Sequence, residues 1–151
     1  MSEADPVERR MVAVASVILA QGIAMDRLSR CLTIASLVGT VSLAMLAGRI
    51  AFPLILLIGG AALSGLVELW FSGRVATDAR LFHQLSTEVD GPNWPVLDAA
   101  LTGLGLLPEA KAGRPAGPRI AGALRLLRYQ AAALIVQCAL VLASAVSGAT
   151  R

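Results

Sequence analysis

The sequence predicts an all-α integral membrane protein with three transmembrane helices, an antiparallel hairpin plus a C-terminal span, and short amphipathic cytoplasmic helices. Three observations carry this. The stretch Ile50 to Phe71 (IAFPLILLIGGAALSGLVELWF) runs 22 residues with one ionisable side chain, Glu68. A hydrocarbon core roughly 30 Å thick takes about 20 apolar residues in a helix that satisfies its own backbone. Across the 151 residues 56% are hydrophobic and 15% charged, with a mean hydropathy of +0.73, whereas soluble domains carry about 25% charged residues. All Lys and Arg except Arg49 and Arg151 fall on one side of a three-span arrangement. By the positive-inside rule, that side is cytoplasmic.

The N-terminal ten residues are charged and mixed in sign. Met11 to Met25 is apolar but short for a span, and three readings compete. Arg9 and Arg10 could open a signal peptide, but Glu3, Asp5 and Glu8 dilute the charge that such a segment needs. A short or re-entrant membrane segment is the second reading. The preferred one is an amphipathic helix at the inner membrane face, because Val7, Met11, Val14, Ile18, Gln21, Met25, Leu28 and Leu32 recur at alternating spacings of four and three. The patch Asp26 to Arg30 then marks the water boundary.

Leu32 to Gly48 carries no charge and forms the first span. Gly48, Arg49 and Pro53 leave room for a very short connection, so the first two spans form a hairpin. Pro53 falls in the first turn of the second helix, where its missing N–H costs little. Trp70, Phe71 and Arg74 mark the exit of that helix.

From Arg74 to Glu88 the pattern becomes amphipathic. Val75, Ala79, Phe82 and Leu85 share one face, and Arg74, Thr77, Asp78, Arg80, Gln84 and Thr87 the other. Asp90 to Pro95 (DGPNWP) breaks this helix. Asn93 is placed to cap the next, Trp94 to Leu107, with a stripe of Trp94, Leu97, Leu101 and Leu104. Pro108 to Pro118 reads as a solvated linker. The last helix runs from near Arg119 to about Gly148. Arg119, Arg125 and Arg128 form a basic collar that meets lipid headgroups, and Ala131 to Ser147 is the third span. The organisation is therefore 1–30, N-terminal amphipathic helix; 31–73, transmembrane hairpin; 74–118, cytoplasmic helices and linker; 119–151, juxtamembrane helix and third span. The N-terminus is cytoplasmic and the C-terminus external, in the inner (plasma) membrane.

Composition also excludes functions. A formal charge of +3 does not indicate nucleic-acid binding, because the arginines flank apolar segments and form no basic face interleaved with aromatics. Cys31 and Cys138 have no metal-ligand or redox spacing and read as free thiols. His83 is the single histidine, and no phosphate-binding, dinucleotide or hydrolase motif is present. Asp78, Glu88, Asp90 and Asp98 read as solvated residues. The sequence thus offers no catalytic, metal or cofactor site.

Small residues recur every four positions: Ser36, Thr40, Ala44 and Gly48 in the first span, Gly60 and Ser64 in the second, and Ala139, Ala143 and Ser147 in the third. They suit close packing of helices. Glu68 has two readings: a proton- or cation-handling carboxylate, since ionisable residues within a membrane are costly, or, as preferred, a residue one turn from the cytoplasmic exit that reaches water or meets Arg74 or an arginine of the third helix. Gln130, Gln137 and Ser144 draw a polar line every seven residues, with Ser36, Thr40 and Ser64 as partners.

The expected function is a non-enzymatic subunit, anchor or assembly factor of a membrane complex. Its docking surface is Phe82, Leu85, Trp94, Leu97 and Leu101, and its partners are membrane lipids together with a protein or further copies of the chain. The alternative is a small oligomeric transporter or channel built on the polar seam Ser64, Glu68 and Gln137.

Overall fold

A computed structural model describes residues 6–46, 52–88 and 91–149. It is all-helical, about 90% helix, with no strand among the described residues. Among the described residues five α-helices follow in order: α1 Pro6–Ala20, α2 Gly22–Leu46, α3 Phe52–Thr87, α4 Trp94–Gly103 and α5 Ala116–Ala149, with a 3-10 turn at Glu109–Lys111 before α5. Three stretches are long and apolar enough to cross a membrane: Pro6–Met45, Phe52–Thr87 and Ala116–Ala149. The expected short connection at Gly48 and Arg49 lies outside the described residues.

The chain divides into two compact units, Met1–Ala20 with Val75–Arg125, and Gln21–Arg74 with Leu126–Arg151. In the first, the four apolar residues expected on one face of the Arg74–Glu88 segment, Val75, Ala79, Phe82 and Leu85, are all buried. Val12, Ala15 and Leu19 of α1 and Ala116 and Ala123 of α5 complete this core. Asn93 caps α4 as its sequence position predicts, accepting from the Val96 N–H at 3.3 Å, and Pro95 occupies the first turn. The helix stops at Gly103, four residues short of Leu107, for a local reason. Gly105 adopts φ +70° and donates to Thr102 O while Leu106 donates to Leu101 O, the paired closure that a left-handed residue permits.

The stripe on the N-terminal helix is corrected. Val7, Met11, Val14 and Ile18 are exposed, and α1 buries Val12, Ala15, Ser16 and Leu19 instead. Both sets have helical spacing, so periodicity alone could not choose between an Ala/Ser-containing face and a bulkier one. The 108–118 segment is corrected as well: it holds the 3-10 turn and the start of α5, and Gly113 is fastened to α4.

The second unit contains α2, the first part of α3 and most of α5. Its directions can be read from side-chain pairs. Gly22 pairs with Gln130 and Ser29 with Gln137, so α2 and α5 run parallel. Asp26 pairs with Ser72, and Thr33 faces Gly65, so α3 is antiparallel to α2. Its apolar side chains, among them Ile34, Val38, Leu63, Val67, Ile135 and Leu142, point outward.

Candidate functional site

The polar residues of the second unit point inward, opposite to the pattern of a soluble bundle. Glu68, Gln130, Gln137 and Ser29 have no exposed surface, and Thr33 and Ser36 are buried. Two clusters result, two helical turns apart along α5.

The cluster at Gln137 is closed. Ser29 Oγ donates to Gln137 Oε1 at 2.8 Å, and Gln137 Nε2 donates to Thr33 Oγ1 at 2.9 Å and to Ser29 O at 3.3 Å. Thr33 Oγ1 in turn donates to Ser29 O at 2.7 Å. Both hydrogens of the glutamine amide and its oxygen have partners, three bonds in all. Gly65 makes room for it: a Cβ there would overlap both Thr33 Oγ1 and Gln137 Nε2.

The cluster at Gln130 is open. Gln130 Nε2 donates to Gly22 O at 2.9 Å and to Glu68 Oε1 at 2.7 Å. Glu68 Oε2 and Gln130 Oε1 are enclosed and have no hydrogen-bond partner. Glu68 therefore neither reaches water nor meets Arg74, as its place near the helix exit suggests; Arg74 lies over the Trp70 ring at 4.3 Å. The interval of seven brings Glu68 opposite Gln130, and an inward-facing amide displaces the expected arginine.

The polar line on α5 is thus present, but its partners differ from those expected. Gln137 meets Ser29 and Thr33, one to two turns before Ser36 and Thr40. Ser64 is separate from it, donating to Ala133 O at 2.8 Å. Thr40 and Ser144 bond carbonyls of their own helices. Of the small residues, Ser36 is buried but Ala44, Ala139 and Ala143 are exposed, so that stripe of α5 does not face the interior of the unit.

In the first unit the expected docking residues are largely core. Phe82 and Leu85 are buried, and Trp94, Leu97 and Leu101 are half-buried. Trp94 packs edge-on against Phe82 with ring centroids 6.1 Å apart and donates from Nε1 to Glu8 Oε1 at 2.8 Å. Two charged residues are also corrected. Asp98 is buried, and Arg119 holds it with two bonds of 2.8 and 2.7 Å while its guanidinium lies 5.0 Å from the Trp94 ring centre. Arg119 is therefore no headgroup contact; Arg125 and Arg128 are exposed. Both hydrogen bonds from Arg119, then the Gly113 N–H at 2.7 Å, hold the Asp98 carboxyl below its ordinary value against the opposing effect of burial. Gly113 sits at φ +72°, which suits glycine and aims that N–H at the carboxylate.

A shallow cleft of about 610 Å³ opens beside this pair, lined by Trp94, Pro95, Asp98, Thr102, Glu109 and Arg114 among others. Its buried carboxylate is already bonded on both oxygens, by Arg119 and by the Gly113 N–H. Among the described residues no group of three His, Cys, Asp or Glu side chains is placed to hold a metal ion. His83 and Cys31 are exposed and Cys138 is half-buried, and both cysteines are free thiols.

Compared with known protein families, curated proteins and solved structures, the chain matches none.

Proposed function

We propose that this chain is a non-enzymatic multi-pass protein of the inner membrane that serves as a subunit, anchor or assembly factor. The N-terminus is cytoplasmic and the C-terminus external. The distribution of Lys and Arg supports that orientation, as do the parallel course of α2 and α5 and the reversed course of α3. The observation that carries the docking role is apolar surface left over after the core of the first unit has closed. Val7, Met11, Val14, Val17 and Ile18 remain exposed along α1 although Phe82, Leu85 and Leu19 already fill the interior. Exposed apolar stripes of this kind meet a membrane surface or a partner. The docking surface thus moves from Phe82 and Trp94 to the outer face of α1.

The test is the intact-complex mass of protein purified in mild detergent, wild type against Val14→Lys with Ile18→Lys. The variant is expected to stay in the membrane and lose a partner or further copies of the chain. An unchanged complex overturns the docking role. Transport along Ser64, Glu68 and Gln137 is less well supported, because the donors of Ser64 and Gln137 are all engaged in internal hydrogen bonds.

A further inference from the structure

Two glutamines of α5 occupy equivalent places two turns apart, and only one is satisfied by protein groups. At Gln137 each amide atom has a partner. At Gln130 both partners of the amide nitrogen, Gly22 O and Glu68 Oε1, are acceptors, which fixes the orientation of the amide. Turning the side chain over would set an oxygen against two oxygens. Gln130 Oε1 and Glu68 Oε2 are consequently left as enclosed acceptors within one hydrogen-bonded pair.

The shortage at this site is specific: it has oxygens and a carboxylate, but too few donors and no positive group. The charged side chains in nearby turns of the three helices do not supply one. Asp26 is taken by Arg30 at 2.9 Å and by Ser72 at 2.7 Å. Arg27, Arg30, Arg74 and Arg128 are exposed, and Tyr129 packs its ring against Phe71. A carboxylate removed from water without a counter-charge is strongly disfavoured.

We propose that Glu68 Oε2 and Gln130 Oε1 form a buried site for a small monovalent cation, either a proton or an alkali ion. One carboxylate balances one positive charge, and a neutral amide oxygen supplies a second contact without adding charge. A divalent ion would leave the pair with excess positive charge in an apolar setting. The site requires neither a docking partner nor a transport path, so it stands apart from the proposed function.

The test is infrared spectroscopy of the full-length protein in lipid nanodiscs at neutral pH, with its glutamate carboxyls labelled with carbon-13. Sodium or potassium is exchanged for a bulky organic cation, and wild type is compared with Glu68→Gln. A labelled protonated-carboxyl band that is missing in Glu68→Gln and indifferent to the exchange identifies the proton. Labelled carboxylate bands that shift on removing the alkali ion identify that ion, and Gln130→Leu is expected to weaken the ion dependence. An ionised carboxylate unmoved by ion exchange overturns the site. If Glu68→Gln fails to fold, the wild-type exchange experiment and the Gln130→Leu comparison still decide.

Discussion

Gln137 Nε2 lies 2.9 Å from Thr33 Oγ1 at the level where α3 presents Gly65. The hydrogen bond between α5 and α2 passes over a position where α3 has no side chain. A missing Cβ on one helix thus permits a polar contact between the other two.

Replacing Gly65 with Ala sets a methyl group onto both partners of that bond. The expected cost is about 1–3 kcal/mol, the usual range for overpacking a filled interior. Thermal unfolding in detergent measures it, and Gly73→Ala, where a Cβ meets nothing within 4 Å, is the control that should hold or slightly raise the midpoint, because Ala favours the helix.

Ser29 and Gln137 should be energetically coupled. A double-mutant cycle of Ser29→Ala and Gln137→Leu is expected to give about 0.5–1.5 kcal/mol, the scale of hydrogen bonds between membrane helices. Additive losses would show that the contact contributes no net stability.

Removing Asp98 leaves the Arg119 guanidinium enclosed and without its carboxylate. Asp98→Ala should destabilise the first unit by about 3–5 kcal/mol, as breaking a buried pair from one side does. Faster tryptic cleavage at Lys111 reports the loss, since Gly113 is released from its carboxylate at the same time.

The same pair sets an acid limit. The Asp98 carboxyl is held below its ordinary value in the folded chain, so its stabilisation is complete above the unfolded value of about 4. It is lost as pH falls from there through the lowered folded value. Wild type should therefore lose stability on acidification in that range, and Asp98→Asn, already weakened, should show a flatter profile in the same titration.

Trp94→Phe keeps the ring against Phe82 and removes the N–H that Glu8 accepts. The expected loss is about 1 kcal/mol, since the bond is partly buried and its acceptor charged. Amide exchange should rise chiefly in α1.

Much of the architecture was legible in particular residues. Asn93 and Pro95 announce the start of α4, and Val75, Ala79, Phe82 and Leu85 announce a buried face, because capping and periodicity act over one or two turns. The candidate site was legible only in part. The line of Gln130 and Gln137 was visible, but its partners depend on the offset between helices, which no local pattern encodes. Asp98 and Arg119 stand 21 residues apart across a Pro/Gly segment and carry no mutual signal in the sequence. Their conversion from surface charges to a buried pair follows from the turn at Gly113.

The partners Gly22 and Ser29 on α2, and Ser36 beyond them, repeat with the same interval of seven as Gln130, Gln137 and Ser144 on α5. Two parallel helices marked in this way resemble a shaft with evenly cut detents. Sliding α5 by one interval, about 10.5 Å at about 1.5 Å per residue, would bring Ser29 to Gln130 and Ser36 to Gln137, pairs of the same chemistry. Nothing in the hydroxyl and amide pattern alone selects one depth over the other. The antiparallel helix does, because Gly65 offers the notch for one glutamine and Glu68 the acceptor for the other. Gly65 and Glu68 together thus fix the depth at which α5 lies against α2.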